Sequence, residues 1–432
     1  MKKCLVVGGG LAGLSASVYL AKNNIQVQLI EASPKFGGRA YSFLDDKSGD
    51  KIDNGQHLLL GCYCETIKFI KLLGAEDQFY FQKRLEINFV DQHKKEFHLK
   101  AAKLPYPFGL LAGLLGYRVL SLYDKIKIKT LISTLLFTDS NKYSDVSVLD
   151  WLKKNGQNER SIKAFWEVIG VGALNSQLQN ASAKIFIDIL KVIFLNGNKA
   201  AAMIIPKVGL SKAFVEPAIK FLVSNKTELS VSEKLLEYSI TQNKAVAVST
   251  DKRSLNDFDA IILAIPSYAL SRINEKNLII ENDKTDLTTS SILTLHLWLK
   301  ENKLKKPFYA FIDSHLHWVF NHGEYITTVT SSADELNEKS QEELFSIVSE
   351  ELQKYLDIKK EDISDYKIIK EKRATFIPNK ENLLKRPSTK TKLENVFLAG
   401  DWTNTGLPAT IEGAIKSGNT AAEEVQKYFS SF

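Results

Sequence analysis

Residues 3–31 read KCLVVGGGLAGLSASVYLAKNNIQVQLIE, and the class of fold can be inferred from this stretch. The apolar run from Lys3 to Val7 predicts a buried strand, and residues 11 to about 22 predict a helix with small residues on one face. Residues 26–31 predict a second strand. One strand–helix–strand unit of this kind is typical of nucleotide-binding α/β domains with a parallel sheet.

The turn between this strand and helix carries the spacing G-x-G-x-x-G, and Glu31 ends the next strand. Gly8 permits the tight turn, Gly10 lets the backbone approach a pyrophosphate, and Gly13 lets helix and strand pack closely. Free N–H groups at the helix N-terminus would bind the phosphates, and Glu31 would accept hydrogen bonds from ribose hydroxyls. The alternative is a glycine-rich turn with a purely structural role. The predicted contacts are Gly8, Gly10, Leu11, Ala12, Gly13 and Glu31.

Two further motifs favour FAD over NAD. Gly37-Gly38-Arg39 follows the second strand and offers another backbone approach with a guanidinium for phosphate, which NAD domains do not need. Near the other end, Ala399-Gly400-Asp401-Trp402 follows a strand, and residues 410–414 open a helix whose dipole would stabilise negative charge on a reduced flavin. The two ends of the chain would then hold one long cofactor. Alternatively, Asp401 caps a turn and Gly413 only packs.

The length of 432 residues exceeds that of a typical single domain. We predict a discontinuous FAD-binding domain, Rossmann-like and of α/β class, with an inserted α+β substrate domain. Its segments are 1–84, 200–270 and 385–432. The substrate-binding region takes 85–199 and 271–384, and it includes a helical segment over 105–195.

Composition excludes several classes of protein. With 44% hydrophobic and 25% charged residues, the chain is neither disordered nor fibrous. The excess of 57 − 50 = 7 basic residues is spread along the chain, so we expect no nucleic-acid partner. The three cysteines, Cys4, Cys62 and Cys64, lack redox C-x-x-C spacing and fit a reducing compartment. We therefore expect a cytoplasmic protein, and we predict no metal site.

The segment from about 105 to 137 is predicted to face a membrane. The chain has no run of ~18 apolar residues, so contact with a membrane would be peripheral, on the inner face of the cytoplasmic membrane. The alternative is that these helices wall an internal tunnel. Apolar bulk would come from Phe108, Leu110, Leu111, Leu114 and Leu115, and anionic head groups would meet Arg118, Lys125, Lys127 and Lys129.

The whole chain resembles the flavin-containing amine oxidase and carotene desaturase superfamily, whose fold is of the GR2 flavoprotein type. Four blocks are similar to its squalene-associated FAD-dependent desaturase family: residues 53–63, Phe165-Trp166-Glu167 with 173–175, 373–376, and 400–414. The last block is long and specific. The first block is shared with plant-type carotene desaturases.

The resemblance implies roles for individual residues. Gly8, Gly10, Gly13, Glu31, Gly38 and Arg39 would hold the AMP and pyrophosphate half of FAD. Asp401, after Gly400, would bind the ribityl chain, the backbone at Gly413 and Ala414 the flavin O2 edge, and the backbone of Leu235 the adenine. No cysteine lies near Asp401, which implies non-covalent FAD.

The resemblance also implies a reaction, in which hydroxysqualene, an allylic alcohol, is reduced to squalene in squalene or hopanoid biosynthesis. Hydroxide is a poor leaving group, so a general acid is expected beside the flavin. His57 is the first candidate, with a packing or flavin-positioning role as its alternative. Arg373 is the second, with an ion pair as its alternative, and Tyr63 and Asn175 are weaker donors. The electron donor, NADPH or a carrier protein, is left open.

Two other functions compete with this one. A phytoene-type carotene desaturase uses the same fold and flavin in the oxidative direction. A non-catalytic prenyl-lipid-binding protein would keep the fold without flavin chemistry, against which the intact Gly37-Gly38-Arg39 and Gly400-Asp401 argue. An amine oxidase is less favoured, because no aromatic pair flanks a recognisable amine site.

Overall fold

The structure is a computed structural model that describes residues 2–274 and 278–431. Residues 1 and 432 of the predicted FAD-binding domain, and 275–277 of the predicted substrate region, lie outside the described residues. The strands are β1 (Lys3–Val7), β2 (Gln26–Ile30), β3 (Ser42–Leu44), β4 (Lys51–Asp53), β5 (Leu59–Leu60), β6 (Phe79–Phe81), β7 (Glu86–Val90), β8 (Glu96–Lys100), β9 (Met203–Pro206), β10 (Glu228–Ser230), β11 (Leu235–Thr241), β12 (Lys244–Thr250), β13 (Ser254–Leu255), β14 (Ala260–Leu263), β15 (Thr289–Leu299), β16 (Phe308–Phe311), β17 (Trp318–Asn321), β18 (Tyr325–Ser331), β19 (Ile363–Phe376) and β20 (Val396–Leu398).

The helices include two short π-helical turns, at 162–166 and 211–215. The α-helices are α1 (Leu11–Lys22), α2 (Cys64–Leu72), α3 (Phe108–Gly116), α4 (Leu122–Thr134), α5 (Val148–Lys154), α6 (Glu159–Ser161), α7 (Glu167–Leu174), α8 (Ala183–Leu195), α9 (Glu216–Ser224), α10 (Ser267–Ile273), α11 (Asp334–Asn337), α12 (Gln341–Leu356), α13 (Lys380–Lys385) and α14 (Ile411–Ser430).

A parallel sheet forms the centre of the cofactor part of the molecule. Its strand order is β10–β2–β1–β14–β20, and every neighbouring pair is parallel. Residues Cys4–Val7 of β1 are buried, as expected for a parallel strand covered on both faces. The predicted strands and their parallel pairing are confirmed.

Helices α1 and α14 pack tightly against each other beside this sheet. A Cβ atom at Gly418 would collide with the carbonyl oxygen of Ala12, so only glycine allows the helices to approach this closely. Ser15 Oγ donates a hydrogen bond of 2.9 Å to the carbonyl of Ile415. The two ends of the chain therefore meet at the carboxyl edge of the parallel sheet.

A second, larger sheet has the strand order β19–β15–β18–β17–β16–β7–β8. Its pairs are antiparallel except β16 with β7, and β7 and β8 form a hairpin at one edge. Helix α12 covers one face and buries Leu344, Val348 and Leu352. This sheet brings β15 and β19 alongside the cofactor part of the chain.

A helical layer, α3 to α8, covers another side of the large sheet and confirms the predicted helical segment. Its core contains Trp151, Trp166 and Phe186, with the ring of Phe186 6.2 Å from each indole. Among the described residues, 2–274 and 278–431, no helix combines the length and apolar character needed to cross a bilayer. The domain boundaries themselves stay a prediction.

Candidate cofactor site

Backbone carbonyl groups crowd two glycines of the turn after β1, Gly8 and Gly13. Gly8 has φ +106°, and a Cβ atom there would collide with the carbonyl of Ala264. A Cβ at Gly13 would collide with the carbonyl of Gly8, which is why the helix can start so close to the strand. Helix α1 begins after Gly10 with no capping side chain and no acidic residue in its first turn. Its N-terminal N–H groups, Leu11 and Ala12 included, suit an anion such as a pyrophosphate.

The second glycine motif lies against this turn. Gly37 N–H donates to the carbonyl of Gly9 at 2.8 Å, and Gly38 has φ +60°. A Cβ at Gly38 would stand 3.0 Å from the Cα of Gly10. The structure therefore places the backbones of the two predicted glycine motifs in direct contact.

Glu31 lies directly beside the glycine turn. One carboxylate oxygen accepts the Gly9 N–H at 2.5 Å, and the other accepts the Ser33 N–H at 2.7 Å. Each oxygen keeps a lone pair for a further donor, as ribose hydroxyls would require. The loop between β10 and β11 lies beside Glu31, since the Glu233 N–H donates to the Glu31 carbonyl at 2.8 Å. Leu235, the predicted adenine contact, is buried two residues later.

Arg39 joins the two ends of the chain. Its Nη2 lies 2.7 Å from Asp401 Oδ2, and its Nη1 donates to the carbonyl of Ala374. The charge of Asp401 raises the pKa of Arg39. The sequence analysis predicted that this guanidinium binds a phosphate. In the structure it pairs with Asp401, another residue that was predicted to bind the cofactor. The Arg39 side chain stays 45% exposed, so it remains open to a ligand in the cleft.

Helix α14 begins beside Asp401. Thr410 Oγ1 caps the helix by accepting the Gly413 N–H at 3.1 Å, and a Cβ at Gly413 would stand 3.8 Å from the Asp401 Cβ. Ala414 follows in the same turn, and its N–H donates to the Thr410 carbonyl. Gly400 N–H donates to Ser417 Oγ at 2.8 Å, which fixes the strand end to the helix. The predicted residues of this region thus form one surface.

Glu412, which the sequence analysis did not assign, lies in the first turn of α14 and joins it to α2. Its carboxylate accepts hydrogen bonds from the backbone N–H groups of Glu65 and Thr66, at 3.0 and 2.8 Å, and from Thr66 Oγ1 at 2.7 Å. It therefore caps the N-terminus of α2.

His57 follows a turn that the fold holds rigidly. Asp53 Oδ1 accepts from Ser42 Oγ at 2.6 Å and from the Leu210 N–H at 2.9 Å. Burial, with the charge of Arg39 as a second cause, lowers the pKa of His57 to about 4. The ring is therefore neutral at pH 7. It can donate a hydrogen bond from one nitrogen, but it does not carry an imidazolium proton.

His296, another residue that the sequence analysis missed, supports the same turn from β15. Its Nε2 donates to the carbonyl of Asp53 at 2.9 Å, and its Nδ1 accepts from Thr327 Oγ1 at 2.9 Å. Burial lowers its pKa to about 4, so this arrangement is that of a neutral ring. The turn before His57 is thus anchored to the large sheet.

The other candidate donors occupy different surroundings. Arg373 is exposed, and its guanidinium stacks 4.6 Å from the ring centre of Tyr268. Asn175 is buried, donates to Thr375 Oγ1 at 2.8 Å and accepts the Ser332 N–H at 3.1 Å, so it ties the helical layer to the large sheet. Burial raises the pKa of Tyr63, whose hydroxyl stays protonated. Of these three candidates, Arg373 is the one whose side chain is exposed.

Comparisons with known proteins match this picture. The sequence profile of the flavin containing amine oxidoreductase family matches residues 11–426. The chain is 29% identical to the hydroxysqualene dehydroxylase of Zymomonas mobilis over 97% of both chains, and 28% identical to that of Sinorhizobium fredii over 98% of both. The 15-cis-phytoene desaturase of Glycine max is 24% identical over 98% of this chain and 79% of that protein.

Solved structures confirm the predicted fold. An oxidoreductase from Methanosarcina mazei superposes with a TM-score of 0.75 at 17% identity, over 98% of this chain and 100% of that one. Putrescine oxidase bound to putrescine superposes with a TM-score of 0.72 at 14% identity, over 99% of each chain. The α/β architecture with its parallel cofactor sheet is shared with both.

Proposed function

The chain belongs to the flavin containing amine oxidoreductase family, and from that premise we propose that it is an FAD-dependent hydroxysqualene dehydroxylase. It would remove the hydroxyl group of hydroxysqualene and give squalene, in squalene or hopanoid biosynthesis. The observation that carries the proposal is the similarity, over nearly the whole of both chains, to relatives named hydroxysqualene dehydroxylase.

The alternatives have weaker support. Phytoene desaturases are less similar, and this chain covers a smaller share of their length. A lipid carrier without flavin would have no use for the contacts that unite Arg39, Asp401 and the start of α14 at the carboxyl edge of a parallel sheet. The reductive enzyme is therefore the function that we propose.

The cofactor would be non-covalent FAD. The uncapped N-terminus of α1 would bind the pyrophosphate, Glu31 the ribose hydroxyls, and Asp401 the ribityl chain. The last cysteine in the sequence is Cys64, so none stands near Asp401 in the chain to form a thioether. Bound FAD would supply the hydride that replaces the hydroxyl group. One dinucleotide fingerprint holds one nucleotide, so the reductant, NADPH or a carrier protein, would meet the enzyme transiently.

The protein must help hydroxide to leave. With a neutral ring, His57 would act by donating a hydrogen bond to the substrate hydroxyl rather than as an imidazolium acid. Arg373, stacked on Tyr268 and exposed, is the second candidate. Closing the site around the substrate would exclude water and strengthen either hydrogen bond.

The substrate would enter from a membrane surface at the apolar rim, a set of exposed apolar side chains between residues 104 and 137. The prediction that Leu114 faces the membrane is wrong, because this side chain is buried in the helical layer and is 6% exposed. Exposed Arg118 and Lys129 lie in the same segment and suit anionic head groups. The enzyme would then be cytoplasmic and peripheral. The rim comprises Leu104, Tyr106, Phe108, Leu115, Leu122, Tyr123, Ile126, Leu136 and Phe137.

The direction of the reaction is the decisive test. Enzyme reduced anaerobically with dithionite is expected to be reoxidised by hydroxysqualene with formation of squalene. When the enzyme is reduced with dithionite in a deuterated buffer, the hydride of the reduced flavin carries deuterium, and the label is expected at the former carbinol carbon. Oxidised enzyme that is bleached by phytoene, with no turnover of hydroxysqualene by the reduced form, would replace this proposal with a desaturase.

A further inference from the structure

Arg386 is a buried guanidinium beneath the loop that carries Asp401. It follows α13 and is 5% exposed. Its Nε donates to the carbonyl of Trp402 at 3.3 Å, and its Nη2 donates to the carbonyl of Asp401 at 3.1 Å. Nη2 also donates to the carbonyl of Thr403 and, at 2.9 Å, to Thr405 Oγ1. The Arg386 side chain thus donates hydrogen bonds to four acceptors within residues 401–405.

The charge of Arg386 has no carboxylate as a direct hydrogen-bond partner in these contacts. Burial lowers its pKa to about 10, against the opposing influence of Asp401, so the group is still charged at neutral pH. An apolar side chain of similar volume would fill the same space without the desolvation penalty of a buried charge. The hydrogen bonds, which are charge-assisted and directional, are therefore what the guanidinium adds.

Arg386 and Arg39 both contact the 401–405 loop, and both contact the end of β19. Arg39 binds the carboxylate of Asp401 and the carbonyl of Ala374. Arg386 binds the carbonyl of Asp401 and stacks 4.6 Å from the ring centre of Phe376. Ala374 and Phe376 both lie at the end of β19, in the large sheet. The 401–405 loop is thus fixed to that sheet at two points.

We propose that Arg386 is a positioning residue of the flavin site. By holding the main chain of the 401–405 loop against the end of β19, it fixes the direction in which the Asp401 carboxylate points. The inference deepens the proposed function but rests only on its flavin site, because neither the contacts nor the test involves the substrate.

The test is titration of apoprotein with FAD, combined with visible circular dichroism of the bound flavin. In Arg386→Met the Kd for FAD is expected to rise about 10- to 100-fold, with an altered flavin dichroism, since several charge-assisted bonds are lost. Arg386→Lys keeps the charge but not the planar fork, so its Kd is expected to lie between the two. The matched control is Lys385→Met, whose side chain pairs with Glu381 at the surface and whose loss should leave FAD binding unchanged.

A merely structural role would give a different result. If Arg386→Met lowers the melting temperature of the apoprotein while the Kd for FAD and the flavin dichroism stay as in wild type, the proposal is overturned. Should that variant not fold, Arg386→Lys takes its place, and an unchanged Kd and flavin dichroism there would overturn the proposal equally. Wild-type protein that binds FAD but does not convert hydroxysqualene would refute the proposed reaction and leave this inference intact.

Discussion

Arg39 Nη2 and Asp401 Oδ2 lie 2.7 Å apart, although 362 positions separate the two residues in the chain. The pair places a residue that follows β2 against one that follows β20, at the same edge of the parallel sheet. Both were predicted to hold the cofactor from opposite ends of the chain. The two ends of the chain that were predicted to hold the cofactor are therefore joined directly by an ion pair.

Asp401→Asn should weaken FAD binding. The substitution removes the charge that pairs with Arg39 and the carboxylate proposed for the ribityl chain, so the Kd is expected to rise about 10- to 100-fold. Fluorescence titration of apoprotein with FAD measures it. Asp257→Asn is the control, because Asp257 is 89% exposed and pairs with Lys3, outside the proposed site. An Asp401→Asn protein with wild-type affinity would remove Asp401 from the site.

Glu31→Ala should also weaken FAD binding, by about 1–3 kcal/mol, the scale of a lost hydrogen bond to a charged group. The carboxylate orients the glycine turn through the Gly9 N–H, so both the turn and the ribose contact are affected. Isothermal titration calorimetry measures the change, with Glu237→Ala on the exposed face of β11 as the control. Full flavin occupancy and unchanged affinity in Glu31→Ala would contradict the ribose assignment.

His57→Phe tests the hydrogen-bond donor for the leaving hydroxide. Single-turnover reoxidation by hydroxysqualene is expected to slow by about 10²-fold, while the Kd for FAD stays unchanged. His57→Gln keeps a donor and should recover part of the rate, and His93→Phe, in an exposed hairpin turn, serves as the control. A rate that hardly changes in His57→Phe would assign His57 to packing.

The protein should lose stability in mild acid, in part through His296. Its pKa is about 4 when folded, against 6.5 in the unfolded chain. Between these values the unfolded chain binds a proton and the folded chain does not, so stability is full above pH 6.5 and falls as the pH drops toward 4. The contribution is up to about 3 kcal/mol.

His296→Gln isolates this contribution. The glutamine amide keeps a donor for the Asp53 carbonyl and does not titrate. Its melting temperature should therefore fall less between pH 7 and pH 5 than that of the wild type. His317 and His322, whose pKa values burial also lowers to about 4, are present in both proteins. An equal fall in both proteins would contradict the assignment.

The apolar rim should bind anionic lipid. Phe137 is 92% exposed and Leu122 is 67% exposed, so replacing both with serine should abolish flotation with vesicles containing anionic phospholipid. Val223→Ser is the control, because Val223 is 60% exposed on α9, outside the rim. Wild-type protein that fails to float with any vesicle would favour helices that wall an internal tunnel.

The sequence predicts the cofactor half of the fold well, because the backbone there leaves a local signature. Gly8 needs a positive φ and Gly13 needs an absent side chain, so the fingerprint is readable without tertiary information. The strand and helix patterns around it were confirmed to within about a residue at their ends.

Two of the residues that the sequence analysis missed act through partners that are distant in the chain. His296 binds a carbonyl 243 positions away, and Glu412 caps a helix that begins 348 positions earlier. Arg386 recognises main-chain carbonyls, which every residue type carries. No pattern in a single sequence marks an acceptor of that kind. Such residues become visible only when the chain is folded.

The strand order of the parallel sheet delays strand pairing while the chain is being synthesised. Strand β1 pairs with β14, and β14 pairs with β20. Cys4 therefore cannot pair with β14 until Ala260 has been synthesised, and Ile261 cannot pair with Val396 until the last strand has been synthesised. A ribosome releases the first pair 260 − 4 = 256 residues apart and the second 396 − 261 = 135 residues apart, and the apolar edges of β1 and β14 stay unpaired in the interval. Such long-range parallel pairing is slow to form and prone to aggregation. Chaperone supply during expression should therefore govern the yield of active protein more strongly than the stability of the finished fold.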